Sequence, residues 1–442
     1  MKQYKFQLYI VIALAVVLIA LSAGVIVNQT SIFTRPPVIA DEPTSAPQEE
    51  YEYERYRSAR PSLHHGLVLE TSVGGTGEET TVDAFGVNGQ IYVFVNSTSS
   101  DYDFENAEGR SALFVFDSAL SLRKIHYFEE GEKLVKVILG EGGFLCVLIS
   151  GNELILRLYG YDGACLKSNR LGANADESFS DIILCMDGYL LVTQSSSALE
   201  RTKIRVRHFS FALSLTYERY ISSPYSLSYI NCYQLGNEFL VFANASSDLG
   251  SHLCAVICSA DFSPTFYHIE KHEDYRAFTV LPYIHGYVCP VLYPDGRSGL
   301  MTLTPAFVKT ALQSEQVTNA SNLSLIFSGS LYYYFTFSPT ATVIAYDSAL
   351  LNAKTLNYFS ESTAVTDTIS ENDYCLFLTQ SNFLSITSNE NKFSLVFGKG
   401  CSHSLLVKSG NYYYCIATSP PSNPDCAHSF GQSDVWLTRI NI

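Results

Sequence analysis

From residue 67 onward the apolar positions fall into short runs rich in Val, Ile, Leu, Tyr and Phe, and a Gly, Asn or Asp turn introduces each series. Eight such runs begin at Ile91, Phe144, Tyr189, Phe239, Tyr287, Leu331, Tyr374 and Tyr412, the first after Asn88-Gly89 and the last after Gly410-Asn411. Runs this short, bounded by turn residues and rich in β-branched and aromatic side chains, read as strands. Their starts recur at intervals of about 38 to 53 residues, the length of one four-stranded unit of a radial repeat. The pattern predicts an all-β chain folded as an eight-bladed β-propeller, with seven blades as the alternative.

A second signal recurs in phase with the first. Phe116-Asp117-Ser118-Ala119-Leu120 returns as Tyr346-Asp347-Ser348-Ala349-Leu350, with looser versions at Tyr161-Asp162-Gly163-Ala164, Phe209-Ser210-Phe211-Ala212-Leu213 and Ala260-Asp261-Phe262. Each follows one β-rich run and precedes another. They read as turns between third and fourth strands, held by an Asp or Ser bonding its own backbone.

The last run, Val435–Ile440, is a third strand with no fourth strand after it, and a spare strand lies at 67–71, before the first complete unit. Pairing the two would close a ring over residues 67–442 and hide two open sheet edges. The alternative leaves 67–71 as a linker strand and the last unit three-stranded. The 30 Tyr and 27 Phe against a single Trp suit flat interfaces between packed sheets.

Before the ring the pattern changes. Residues 6–27 are apolar except at Gln7, Ser22 and Gly24, long enough to cross a ~30 Å hydrocarbon layer at 1.5 Å per residue. Lys2 and Lys5 ahead of the run place the N-terminus on the cytoplasmic side. Residues 1–27 therefore read as a transmembrane signal-anchor that leaves the ring on the extracytoplasmic side of the cell membrane. A cleaved signal peptide is the competing reading, weakened by the poor cleavage site Leu21-Ser22-Ala23. Residues 28–66, rich in Pro and Glu, carry too few aliphatic side chains to offset the entropy of ordering and read as a disordered stalk.

The net charge of −15 belongs to the ring, because residues 1–66 hold six basic and six acidic side chains. An acidic body repels phosphate backbones, which argues against nucleic acid and for a basic or cationic partner, whether a protein or a cell-wall ligand. Of the eleven cysteines, Cys146, Cys185, Cys254, Cys289, Cys375 and Cys415 lie inside apolar strand runs and read as free, buried thiols. Cys401 and Cys426 are the loop positions open to bridging. No C-x-x-C pair, G-x-S-x-G elbow or P-loop occurs. His268 and His272 lack the intervening glutamate of a zincin and read as solvent-facing strand residues.

The second-to-third strand loops are longest in the first and eighth units, roughly Ser97–Arg110 and Ser419–Ser433, and ring closure would make them neighbours. Together they gather Asp101, Asp103, Glu105, Glu108, Asp425 and His428. Long loops on a rigid scaffold are where function concentrates, so these six residues form the candidate ligand-binding set. Their carboxylates suit a hard cation such as Ca²⁺ or a basic group of a partner. The sequence singles out no catalytic residue.

Two segments also resemble a known repeat. Gly74-Gly75-Thr76-Gly77-Glu78-Glu79, followed by GVNGQIYVFVNSTSS and ALFVFDSALSL, and Asp434-Val435-Trp436-Leu437-Thr438-Arg439 near the C-terminus, are similar to the G-G-[ST]-G-x-[DE] and D-x-W-[VIL]-x-[KR] elements of bacterial secreted and membrane-anchored β-propeller proteins. The resemblance covers about a quarter of the chain closely and implies fold and extracytoplasmic location, without a catalytic residue. The expected function is a membrane-tethered binding or assembly scaffold. The runner-up is a carbohydrate-active hydrolase or lyase, which would require two facing carboxylates near the ring axis.

Overall fold

The structure is a computed structural model that describes residues 60–61 and 67–440, apart from 106–108, 173–176, 196–201, 260–262, 272, 316–321, 329–330, 338–340, 360–364, 371–373, 380–381, 388–390, 397–400 and 422–431. The described residues are all-β, in antiparallel sheets mostly of four strands taken in chain order. Numbered along the chain, the eight sheets span 79–127, 132–171, 178–223, 226–268, 276–315, 322–359, 365–396 and 402–440. Sheet 1, for example, runs Glu79–Val87, Gln90–Ser97, Ala112–Asp117 and Leu122–Tyr127.

Sheet 8 is completed from the other end of the chain. Leu67–Val73 pairs with Asp434–Ile440, setting Glu70 opposite Thr438 and Thr71 opposite Leu437. Arg60–Pro61, within the segment read from sequence as stalk, adds to its outer side with Arg60 opposite Glu70. Each sheet touches the next in order, sheets 6 and 7 through the Tyr333 and Phe335 rings against Phe377, and sheet 8 touches sheet 1 through Ser402–Ser409 against Glu79–Val87. This closed succession of sheets is a β-propeller arrangement.

Among the described residues no helix is long and apolar enough to cross a membrane, and the run 6–27 lies outside them.

The glycines that open the second strands answer to close packing. A Cβ on Gly143, Gly188 or Gly286 would stand 1.8, 1.9 or 2.0 Å from the carbonyl oxygen of Tyr159, Phe209 or Leu303 on the third strand. The turns between third and fourth strands likewise have a common build. Asp117 Oδ1 accepts the N–H groups of Ala119 (2.9 Å) and Ser121 (2.8 Å), and Asp347 Oδ1 accepts that of Leu351 (2.9 Å). In each, an apolar residue takes the left-handed conformation and plugs the core: Leu120 at φ 58° and Leu350 at φ 58°, both buried. Leu213 and Phe307 do the same. The Thr304–Phe307 turn, where Thr304 replaces the Asp, escaped the sequence pattern. Ala260-Asp261-Phe262 lies outside the described residues.

Cores form between successive sheets. Tyr92, Phe94, Phe144, Tyr159 and Phe128 fill the space between sheets 1 and 2, with Phe94 and Phe144 edge-to-face at 5.1 Å. Polar side chains bolt the same junctions. Asn96, at the end of a second strand, accepts the Leu134 N–H (2.9 Å) and donates to the Leu134 carbonyl (2.8 Å), so its amide imitates one residue of a strand. Asn244 repeats this with Ala277 between sheets 4 and 5, at 3.0 and 2.7 Å. In sheet 5 the first strand is split into Arg276–Ala277 and Leu281–Tyr283, opposite Pro290, which has no N–H to offer a ladder.

Candidate functional site

The seam between sheets 8 and 1 is built from the two segments singled out by resemblance. Val73 ends the closing strand, and Gly74 to Gly77 then turn the chain into Glu79–Val87. The four backbone N–H groups of this turn each find a side-chain acceptor. Gly74 donates to Asp103 Oδ2 (3.1 Å), Gly75 to Glu79 Oε2 (3.1 Å), Thr76 to Asp101 Oδ1 (2.9 Å) and Gly77 to Ser99 Oγ (2.8 Å). A cradle this tight tolerates no side chain. A Cβ on Gly74 would lie 1.8 Å from Asp434 Oδ1, and one on Gly75 would lie 2.4 Å from Ser99 Cβ. Glu79 and Asp434 are fully buried here, and Glu79 also accepts the Ser97 and Ser99 hydroxyls (2.7 and 2.5 Å). Burial holds the Glu79 carboxyl above its ordinary value, against the hydrogen bonds that pull it down.

Of the six predicted ligand residues, Asp101 and Asp103 stand together at this seam, with Asp103 buried and Glu105 exposed beside them. Glu108, Asp425 and His428 lie outside the described residues. Asp101 and Asp103 spend a carboxylate oxygen each on the closure turn, so a cation at this seam would compete with backbone donors for them. Among the described residues no group of three or more His, Cys, Asp or Glu side chains is arranged to hold a metal ion. His268 is not a plain solvent-facing residue: its Nδ1 lies 2.9 Å from Nε2 of buried His252, while His272 lies outside the described residues.

A second set of charged groups, unmarked by any sequence signal, gathers where first strands face one another. An extra residue bulges five of these strands, and the next side chains are Asp83, Lys136, Asp181, Asn231 and Asp367. A bulge re-aims the side chain that follows it. Asp83 Oδ2 accepts the Val137 N–H of sheet 2 (2.7 Å), Asn231 Oδ1 that of Val280 in sheet 5 (2.6 Å), and Asp367 Oδ2 that of Leu406 in sheet 8 (2.7 Å). Lys136 Nζ stands 3.9 Å from Asp83 Oδ1. Burial raises the Asp83, Asp181 and Asp367 carboxyls above their ordinary range, and the Lys136 charge offsets part of that for all three.

One arrangement has the outline of a nucleophile with its base. His208 Nδ1 lies 2.5 Å from Thr216 Oγ1, and its Nε2 lies 3.0 Å from Asp187 Oδ1. Sheet 5 explains the Thr216 half without chemistry. Thr310, at the matching fourth-strand bulge, donates to the Thr302 carbonyl (3.2 Å) as Thr216 does to that of His208 (3.1 Å). The threonine at this bulge caps a third-strand carbonyl.

No family model and no curated protein matches the chain. Among solved structures it is similar to the AfRom2 CNH domain at 9% identity and a TM-score of 0.43, covering 84% of this chain and 99% of that one. Kluyveromyces lactis Hsv2 is similar at 11% identity and a TM-score of 0.43, with 71% and 95% covered. The protein lmo1340 of Listeria monocytogenes EGD-e is similar at 11% identity and a TM-score of 0.44, with 72% and 96% covered. Likenesses of this degree assign no activity, and the propeller arrangement stands on the strand pairing itself.

Proposed function

We propose that the chain is a membrane-tethered, extracytoplasmic β-propeller of eight blades, each of the eight sheets being one blade, that serves as a binding or assembly scaffold. The observation that carries the scaffold reading is the use made of the polar side chains. At the seam and along the first strands the carboxylates accept backbone N–H groups that join one sheet to the next. They build a rigid ring, and the turns are left to meet a partner. Tethering rests on the apolar run 6–27, which ends well before the first described residue.

The enzymatic reading, a carbohydrate-active hydrolase or lyase, has one observation in its favour. Burial raises the Asp83, Asp181 and Asp367 carboxyls, the charges of Asp367 and Asp181 add to this at Asp83, and an acid catalyst needs a carboxyl raised in that direction. Against it, Asp83 and Asp367 are each held by a neighbouring sheet's N–H. Protease added to intact cells tests location. The full-length chain should sit in the membrane fraction and lose its ring to the protease. A mature protein beginning near Gly24 and released to the medium would overturn the tether.

A further inference from the structure

Exposed apolar side chains on a protein surface are ordinary when scattered and informative when they crowd together. Here five of them stand at one end of four successive sheets. The first-to-second strand turns, and the strand ends beside them, carry Leu184 (51% exposed), Met186 (94%), Leu235 (43%), Ile284 (69%) and Phe327 (51%) in four consecutive sheets, 3 to 6. The same turns on sheets 1, 2 and 8 are Asn88-Gly89, Glu141-Gly142 and Gly410-Asn411. All these turns lie at the same end of the ring, because every second strand starts from them. Among the described residues, sheets 3 to 6 therefore carry most of the exposed apolar side chains beside these turns, Tyr412 (44%) of sheet 8 standing apart from them.

Side-chain bonds tie this part of the end into one surface. The Met186 N–H donates to Gln234 Oε1 (3.0 Å), and Gln234 Nε2 donates to Asp187 Oδ1 (3.0 Å), linking sheets 3 and 4. Tyr233 donates to the Val280 carbonyl between sheets 4 and 5, and Tyr332 to the Pro282 carbonyl between 6 and 5 (2.8 Å). The Phe327 ring lies 4.6 Å from that of Tyr332. A surface already held in place loses little entropy when a partner settles on it.

We infer that this half-face docks a cationic amphipathic segment of a protein, an apolar ridge flanked by Lys or Arg. The inference rests on the scaffold reading and names its partner. Charge selects the occupant. Asp187 is 65% exposed within the patch, and the hydrogen bond that Gln234 donates holds its carboxyl below the ordinary value and so ionised. Glu238 is exposed two residues after Gly236, whereas Lys309 is neutralised by Glu270 at 2.8 Å. The ring carries the whole −15, so a second copy of the chain and an anionic lipid surface are both repelled, while a basic partner is drawn in.

The test uses the full chain in phosphatidylcholine nanodiscs, with empty discs as reference, and a fluorescent amphipathic Leu/Lys peptide as the probe. Saturable one-to-one binding is expected, weakened by salt, with the isomeric Leu/Glu peptide failing to bind. Met186→Ser with Ile284→Ser should weaken binding at least tenfold. Leu249→Ser, at the opposite end of the second strand and 98% exposed, should leave it unchanged. Equal binding of both peptides, or no effect of the double substitution, overturns the inference. So does a double substitution that alters only self-association on gel filtration or binding to anionic vesicles. Cross-linking in intact cells separates the two levels. Partner capture that survives the double substitution leaves the scaffold reading standing and removes this site, whereas no peptide binding and no capture by the unsubstituted chain removes both.

Discussion

Asp83 shows how a single charged residue serves assembly. Its carboxylate is almost out of water, with Lys136 3.9 Å away and the Val137 N–H at 2.7 Å, and burial still raises its pKa. Raised above the 3.8 of an ordinary Asp, it contributes stability that is complete below that pH and is lost as pH rises through its folded value. Asn231 does the same bonding in sheet 4 without a charge. Asp83→Asn should therefore keep the Val137 bond, melt no lower than the parent at pH 7, and flatten the fall in melting temperature as pH rises above the ordinary 3.8 of an Asp. Asp83→Ala strands a buried N–H and should cost about 1–3 kcal/mol in urea unfolding. Equal effects of the two substitutions would show that the bond contributes nothing.

At the scale of the element, the strand that matters most is Leu67–Val73. It carries no special chemistry, yet it completes sheet 8, and its exit turn gathers the Gly74–Gly77 N–H groups onto Asp101, Asp103, Glu79 and Ser99. Glu70 and Thr438 face each other across this pairing, and residues directly opposite on antiparallel strands stand close enough for a disulfide. Glu70→Cys with Thr438→Cys should oxidise to a bridge joining the two ends of the ring, giving a faster band on a non-reducing gel and a linked peptide pair by mass spectrometry. A ring closed without residues 67–73 would yield neither.

For the whole molecule, the thiols report the packing. Cys146, Cys185, Cys232, Cys254, Cys258, Cys289 and Cys415 are free and buried, and Cys165 is free and exposed. Burial pushes the thiols of Cys254 and Cys258 up to about 12, so they stay protonated and inert in the folded ring. Titration of the native protein should show a fast thiol that Cys165→Ser removes, and denaturation without reductant should release at least seven more. Several fast thiols in the Cys165→Ser protein would mean that the sheets part readily.

The sequence by itself determined the strand content, the spacing of the sheets and the Asp-held turns, because each follows from local chemistry. A turn needs its Gly or Asp, and a strand packed on both faces needs its run of apolar residues. It also marked Asp101 and Asp103 through the length of their loop. Only the tertiary structure decided what those carboxylates touch, since their donors at Gly74 and Thr76 are more than twenty residues away in the chain. It alone decided that Asp83, Lys136, Asp181 and Asp367 face one another, and that Leu184, Met186, Leu235, Ile284 and Phe327 share one surface. Each of these residues is unremarked within its own strand or turn, and their meeting depends on the order in which whole sheets stand around the ring.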